Sequence, residues 1–172
     1  MSAYIALLRA VNVGGTGKLP MTELKSMCES AGFTSVRTYI ASGNVVFDST
    51  KSATKVKAAL EDLLLAYAGK PVKVLVRTAP ELQQVLASNP FPDAAPNRTI
   101  TIFLDDAPPA DTLATITGRK DEEVVLGTRE IYVHYGEGMG QSKLKIRAAD
   151  EGTGRNINTV SKLVEMASGN AT

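Results

Sequence analysis

Three stretches of this 172-residue chain concentrate polar residues and glycines in a way that chemistry could use. The first runs Arg9, Ala10, Val11, Asn12, Val13, Gly14, Gly15, Thr16, Gly17, Lys18. Its glycines free the backbone to turn amides toward an anion, and Arg9 and Lys18 add positive charge at its two ends. Pro20 and the apolar positions after it open a helix, so the loop also feeds a helix N-terminus, a natural place for negative charge. The plainer reading is a loop that only needs positive φ. No Walker A motif is present, because that pattern requires Gly where Asn12 stands and Ser or Thr where Leu19 stands. The dinucleotide fingerprint Gly-x-Gly-x-x-Gly does not fit either.

The second stretch, Ser42-Gly43-Asn44, separates two β-rich runs, and its plain reading is a turn capped by its own side chains. The third, Thr153-Gly154-Arg155-Asn156-Ile157-Asn158-Thr159, precedes an amphipathic helix. Asn156 or Asn158 can serve as that helix's N-cap. A guanidinium beside exposed helix amides is also a good anion receptor, which gives Arg155 a functional reading.

Other reactive residue types read as structural. His134 is the sole histidine and Cys28 the sole cysteine, which excludes an internal disulfide and the common Cys/His metal clusters. Cys28 falls on the apolar stripe of a helix and reads as a core thiol, and His134 lies in a strand without clustered acids. Asp105-Asp106 and Asp121-Glu122-Glu123 read as solvated charge. Lys143, Lys145 and Arg147 form a modest basic cluster after Gly136 to Gly140. On the helix predicted from Ser142 they would spread over two faces, which weakens a phosphate-backbone footprint.

The elements that position these residues follow from periodicity. Tyr4 to Leu8 is a short continuous apolar run and reads as a buried strand. Met21, Leu24, Met27, Cys28 and Ala31 are helically spaced between Pro20 and Gly32. Val36 to Ile40 and Val45 to Phe47 form a hairpin. Ser52 caps a helix carrying Val56, Leu60, Leu63, Leu64 and Tyr67, ended by Gly69 and Pro71, and Val72 to Val76 is a strand. The order β-α-β-β-α-β is that of the ferredoxin-like split βαβ unit. In that unit the first and second strands run parallel with the third between them, so Ser42-Gly43-Asn44 is expected beside the loop from Asn12 to Lys18.

A Thr78-x-x-Glu81 capping box opens a helix over Leu82, Val85 and Leu86 that must stop by Asn89-Pro90. Thr99 to Leu104 is a strand, Leu113 and Ile116 mark a short helix, and Val124 to Leu126 with Ile131 to Tyr135 form a hairpin. Val160, Leu163, Val164 and Ala167 mark a last helix. The expected fold is α+β: two ferredoxin-like sub-structures, antiparallel sheets covered by helices, with domains 1–77 and 78–172 and a seam between Arg77 and Asn97.

Nineteen basic and eighteen acidic residues give a formal charge of +1, so any polyanion site must be local. The amino terminus lacks the features of a signal peptide and no stretch is apolar for the length of a membrane span, so a cytoplasmic protein without membrane contact is expected. Monomer and small homo-oligomer are both open, and no cofactor fingerprint is present.

The strings Leu7 to Gly15, Thr38 to Phe47 and Arg155 to Val160, in that order, resemble DUF1697, a bacterial family of unknown function. That family's pattern has Gly where this chain has Ala10 and Trp where it has Ile157. The resemblance implies a two-part α+β fold and a bacterial cytosolic setting, and brings no reaction. It marks Arg9, Asn12, Gly14, Gly15, Lys18, Ser42, Gly43, Asn44, Arg155, Asn156, Asn158 and Thr159 as motif positions.

These residues point to a small binding or regulatory protein for an anionic ligand, a phosphate-bearing small molecule or nucleic acid, held where the first loop, the Ser42 turn and Arg155 converge. An enzyme acting on a phosphorylated or nucleotide substrate is the alternative, and a purely structural or oligomerisation role of the motifs is the second.

Overall fold

The structure is a computed structural model and describes residues 2–9, 19–40, 43–136 and 142–168. Among these residues the chain forms two four-stranded antiparallel sheets and four α-helices. It divides into two compact units, Met1–Gln83 with Lys162–Thr172, and Gln84–Ser161. The end of the last helix belongs with the first unit.

In the first unit the order is β1 (Ser2–Leu8), α1 (Met21–Ser30), β2 (Thr34–Tyr39), β3 (Asn44–Ser49), α2 (Ala53–Ala68) and β4 (Val74–Thr78). The sheet order is β2-β3-β1-β4, so β1 and β2 run parallel on either side of β3, as the sequence pattern predicts. Local signals set the helix limits. Ser52 Oγ accepts from Lys55 N at 3.3 Å, and Gly69 ends α2 in the left-handed region at φ 73. Leu24, Met27 and Cys28 of α1 and Val56, Leu60 and Leu64 of α2 pack with Tyr4, Ala6, Leu8, Val45, Phe47, Val74 and Val76, so both helices cover one face of the sheet. Phe33 stacks on Phe47 within this core, ring centroids 4.3 Å apart. The alternate residues Ile5, Leu7, Val46, Leu75 and Arg77 are buried too, so this sheet is buried on both faces.

Thr78 and Glu81 form the expected reciprocal box, Thr78 N donating to Glu81 Oε1 at 2.8 Å and Glu81 N to Thr78 Oγ1 at 3.3 Å, and α3 (Ala79–Ala87) follows. The second unit holds β5 (Thr99–Phe103), β6 (Glu123–Leu126), β7 (Glu130–His134) and β8 (Thr153–Asn156), before α4 (Ile157–Ala167) crosses the division between units. The sheet order β6-β7-β5-β8 repeats that of the first sheet.

The covering layer does not repeat. The short helix expected at Leu113 and Ile116 is a single 3-10 turn, Leu113–Thr115. The helix expected from Ser142 is absent. Lys145 instead pairs its backbone with Thr117 in an antiparallel bridge, and a 3-10 turn follows over Arg147–Glu151. The reason is a period of two: Leu144, Ile146 and Ala148 point into the core formed with Leu104, Val124, Ile131 and Val133, while Lys143, Lys145 and Arg147 are exposed. An extended strap with 3-10 turns, rather than helices, covers this face of the second sheet.

Candidate functional site

The expected anion site begins where β1 leaves its sheet. Leu8 N donates to Gly43 O at 2.9 Å on one side, and Arg9 N donates to Lys73 O at 2.9 Å on the other. The last residues of β1 therefore lie between the start of β3 and the residue before β4. Gly43 has φ 87, a conformation that favours glycine, so its place in the turn is set by backbone geometry. Asn44 is fully buried and its Nδ2 donates to Tyr39 O at 2.9 Å, closing the turn onto its paired strand. That contact is the local turn-capping role.

Arg9 is exposed and Lys73 half-buried. The β1–β4 register pairs Leu8 with Val74, which sets Arg9 opposite Lys73, and directly opposed residues share a sheet face. Because Leu8 and Val74 belong to the helix-covered core, the strand alternation assigns the two cations to the other face. Lys73 is the basic residue that sequence reasoning missed: it lies 64 positions from Arg9, and only the register joins them.

The strand that carries Lys73 is held from α2. Glu61 Oε2 accepts from Val74 N at 3.0 Å, and Lys57 Nζ donates both to Val74 O and, at 2.9 Å, to Glu61 Oε2. β4 is an edge strand, and its outward N–H and C=O at Val74 are thereby satisfied by side chains. Asn12, Gly14, Gly15, Lys18 and Ser42 lie outside the described residues.

The C-terminal motif is built differently. Arg155 lies on β8, paired with Thr101 of β5, and is only 7% exposed. Its Nη1 donates to Thr153 Oγ1 at 2.6 Å and to Gly154 O at 2.9 Å. Burial draws the guanidinium down to about 10. Thr101 Oγ1 beside it is a buried hydroxyl without a hydrogen-bond partner among the described residues. Asn156 caps α4, its Oδ1 accepting from Thr159 N at 2.9 Å, so the cap is Asn156 rather than Asn158. Thr159 is buried and Asn158 exposed.

Elsewhere, burial, with a lesser push from Glu29, raises the Cys28 thiol to about 12, a state without thiolate reactivity at neutral pH. His134 is half-buried against Phe91, ring centroids 5.7 Å apart. Glu122, expected in solvated charge, is instead buried by area and accepts a hydrogen bond from Ser142 Oγ, which holds its carboxyl below the usual range. That contact ties the strap to the loop before β6. Among the described residues no group of His, Cys, Asp and Glu is placed to hold a metal ion, and no helix is long and apolar enough to cross a membrane.

The fold is similar to that of a conserved bacterial protein from Streptococcus pneumoniae, with a TM-score of 0.80 at 23% identity over 96% of this chain and 98% of that one. No curated protein matches the chain. The family match covers residues 1–132, which includes the first two motifs and stops short of Arg155 to Thr159. On that match, across most of its length, the chain belongs to DUF1697, a family of proteins of unknown function.

Proposed function

We propose that the chain is a small binding or regulatory protein whose first unit holds a phosphate-bearing ligand at the end of its sheet where β1 leaves. The observation that carries this reading is the pair of backbone bonds from Leu8 to Gly43 and from Arg9 to Lys73, each 2.9 Å. They bring the ends of two glycine-bearing loops and two cations to one end of one sheet. Arg9, Lys18 and Lys73 supply charge, Asn12 and Ser42 directional hydrogen bonds, and Gly14, Gly15 and Gly43 close backbone approach. Arg9→Ala tests it by thermal shift with inorganic phosphate, a nucleoside monophosphate and a sugar phosphate. Stabilisation of the wild-type protein by at least one of these, lost in the variant, is the expected result. A wild-type protein that none of them stabilises contradicts the reading.

A second reading applies to the C-terminal motif and is favoured by the burial of Arg155 and the cap formed by Asn156. In it Arg155, Asn156, Asn158 and Thr159 are architecture: they fix β8 and start α4, and Asn44 likewise closes a turn. The ligand set then contracts to the β1 end of the first sheet.

A further inference from the structure

The cations of the strap in the second unit take no part in the site above. Lys143, Lys145 and Arg147 alternate with Leu144, Ile146 and Ala148, and the apolar set is packed on the core beneath the second sheet. The backbone is extended up to Ile146, which has φ −120 and ψ 108, Lys145 exchanges bonds with Thr117 at 2.8 and 3.1 Å, and Arg147 opens the 3-10 turn. Alternation from Lys143 to Arg147 puts the three cations on the outward side. All three are exposed, and among the described residues none of their side chains makes a hydrogen bond or ion pair.

The bridge to Thr117 brings a second basic stretch alongside. A Cβ on Gly118 would run into Lys143 O, so the two segments touch through backbone there, and Arg119 and Lys120, both exposed, follow immediately. The carboxylate next in line, Glu122, is turned in and engaged by Ser142 and by Lys120 N, so the exposed carboxylates stand only at the two ends of the row. Asp121 and Glu123 flank Glu122, and Asp150 and Glu151 bound the row at its other end.

We propose that this row is a docking surface for the sugar-phosphate backbone of a single-stranded nucleic acid. A row of exposed cations suits a flexible chain with one charge per residue, while the near-zero net charge rules out a general attraction for polyanions. The chain has no Trp and only 5% aromatic residues, so binding rests on phosphate contacts without stacking and is indifferent to base sequence.

Fluorescence anisotropy with a labelled oligothymidylate tests it, from about 50 to about 200 mM salt. The wild-type protein binds, with affinity falling as salt rises. Lys143→Gln/Lys145→Gln weakens binding and flattens the log–log salt dependence by about 1.4, two contacts at about 0.7 each for a single strand. The control Lys25→Gln/Lys55→Gln removes two exposed lysines from the first unit and changes neither. No binding, or equal losses in both variants, overturns the proposal. Tighter binding to duplex, or to anionic lipid vesicles, overturns the single-strand assignment. Arg9→Ala keeps the salt slope, so failure here is distinct from failure of the β1 site.

Discussion

Replacing Arg155 separates an architectural guanidinium from an anion receptor. In the folded protein its Nη1 makes bonds of 2.6 Å to Thr153 Oγ1 and 2.9 Å to Gly154 O, and the side chain is 7% exposed. Hydrogen bonds from a charged group contribute about 1.5–3 kcal/mol each, and the packed aliphatic stem adds about 2 kcal/mol. Against this stands the burial of the charge. A guanidinium drawn down by burial to about 10 is disfavoured by about 3 kcal/mol, at about 1.4 kcal/mol for each tenfold change in proton affinity. Arg155→Ala loses bonds and stem and regains the desolvation, a net loss of about 3 kcal/mol, or roughly 6–12 °C in Tm for a chain of this size. Arg155→Met keeps the stem and discards the charge with its bonds to Thr153 and Gly154, so it loses only about 1 kcal/mol. Urea unfolding of the three proteins gives these differences. Equal stability of Arg155→Ala and wild type, or a Met variant as unstable as the Ala variant, refutes the reasoning. So does a phosphate-induced thermal shift that disappears in a fully stable Arg155→Met.

Four other perturbations have defined outcomes. Ile40 is a β-branched residue at φ 47 and half exposed, so Ile40→Asn stabilises the hairpin by about 1 kcal/mol in urea unfolding, and a destabilised variant contradicts this. At Gly152 a Cβ would stand 2.6 Å from Phe103 O, so Gly152→Ala costs about 3 kcal/mol or more by displacing β5 backbone, while Gly69→Ala, strained by its φ of 73 but sterically open, costs about 1 kcal/mol; equal melting temperatures would contradict the ranking. The folded Cys28 thiol keeps its proton to about 12, whereas in the unfolded chain it ionises near 9. Unfolding therefore releases a proton between those values, so stability falls as pH rises through about 9 and levels near 12, and Cys28→Ala shows a shallower fall in alkaline urea titrations. At pH 8 the same thiol reacts with a disulfide reagent only at the rate of unfolding, and immediate reaction with native protein would show that it is not buried.

How much of this was legible in the sequence depended on how local each signal is. The caps of α2 and α3 are set within four residues by Ser52, Thr78 and Glu81, and their side chains bond as the pattern predicts. The parallel placement of β1 and β2 about β3 followed from element order, because few topologies join those elements with short connections. β8 was missed because Thr-Gly-Arg-Asn is short, polar and poor in β-branched residues, and its pairing with β5 joins residues 50 to 56 positions apart. The strap was read as a helix because three apolar residues at a spacing of two fall below the length at which period two and period 3.6 separate. That misreading dispersed the cations that the extended backbone aligns. Arg155 was assigned to anion recognition by residue type alone, and type does not say whether a strand residue faces inward. Lys73 carried no local signal, since its relation to Arg9 exists only in the register of β1 and β4.

The most direct test of the β1 site is an amide chemical-shift titration of the uniformly labelled protein with a nucleoside monophosphate at low salt. The account predicts saturable shifts centred on Leu8, Arg9, Gly43 and Lys73, with Thr153 to Thr159 unmoved. Shifts centred on Thr153 to Thr159 with Leu8, Arg9 and Gly43 unmoved, or no saturable shift at all, would contradict it.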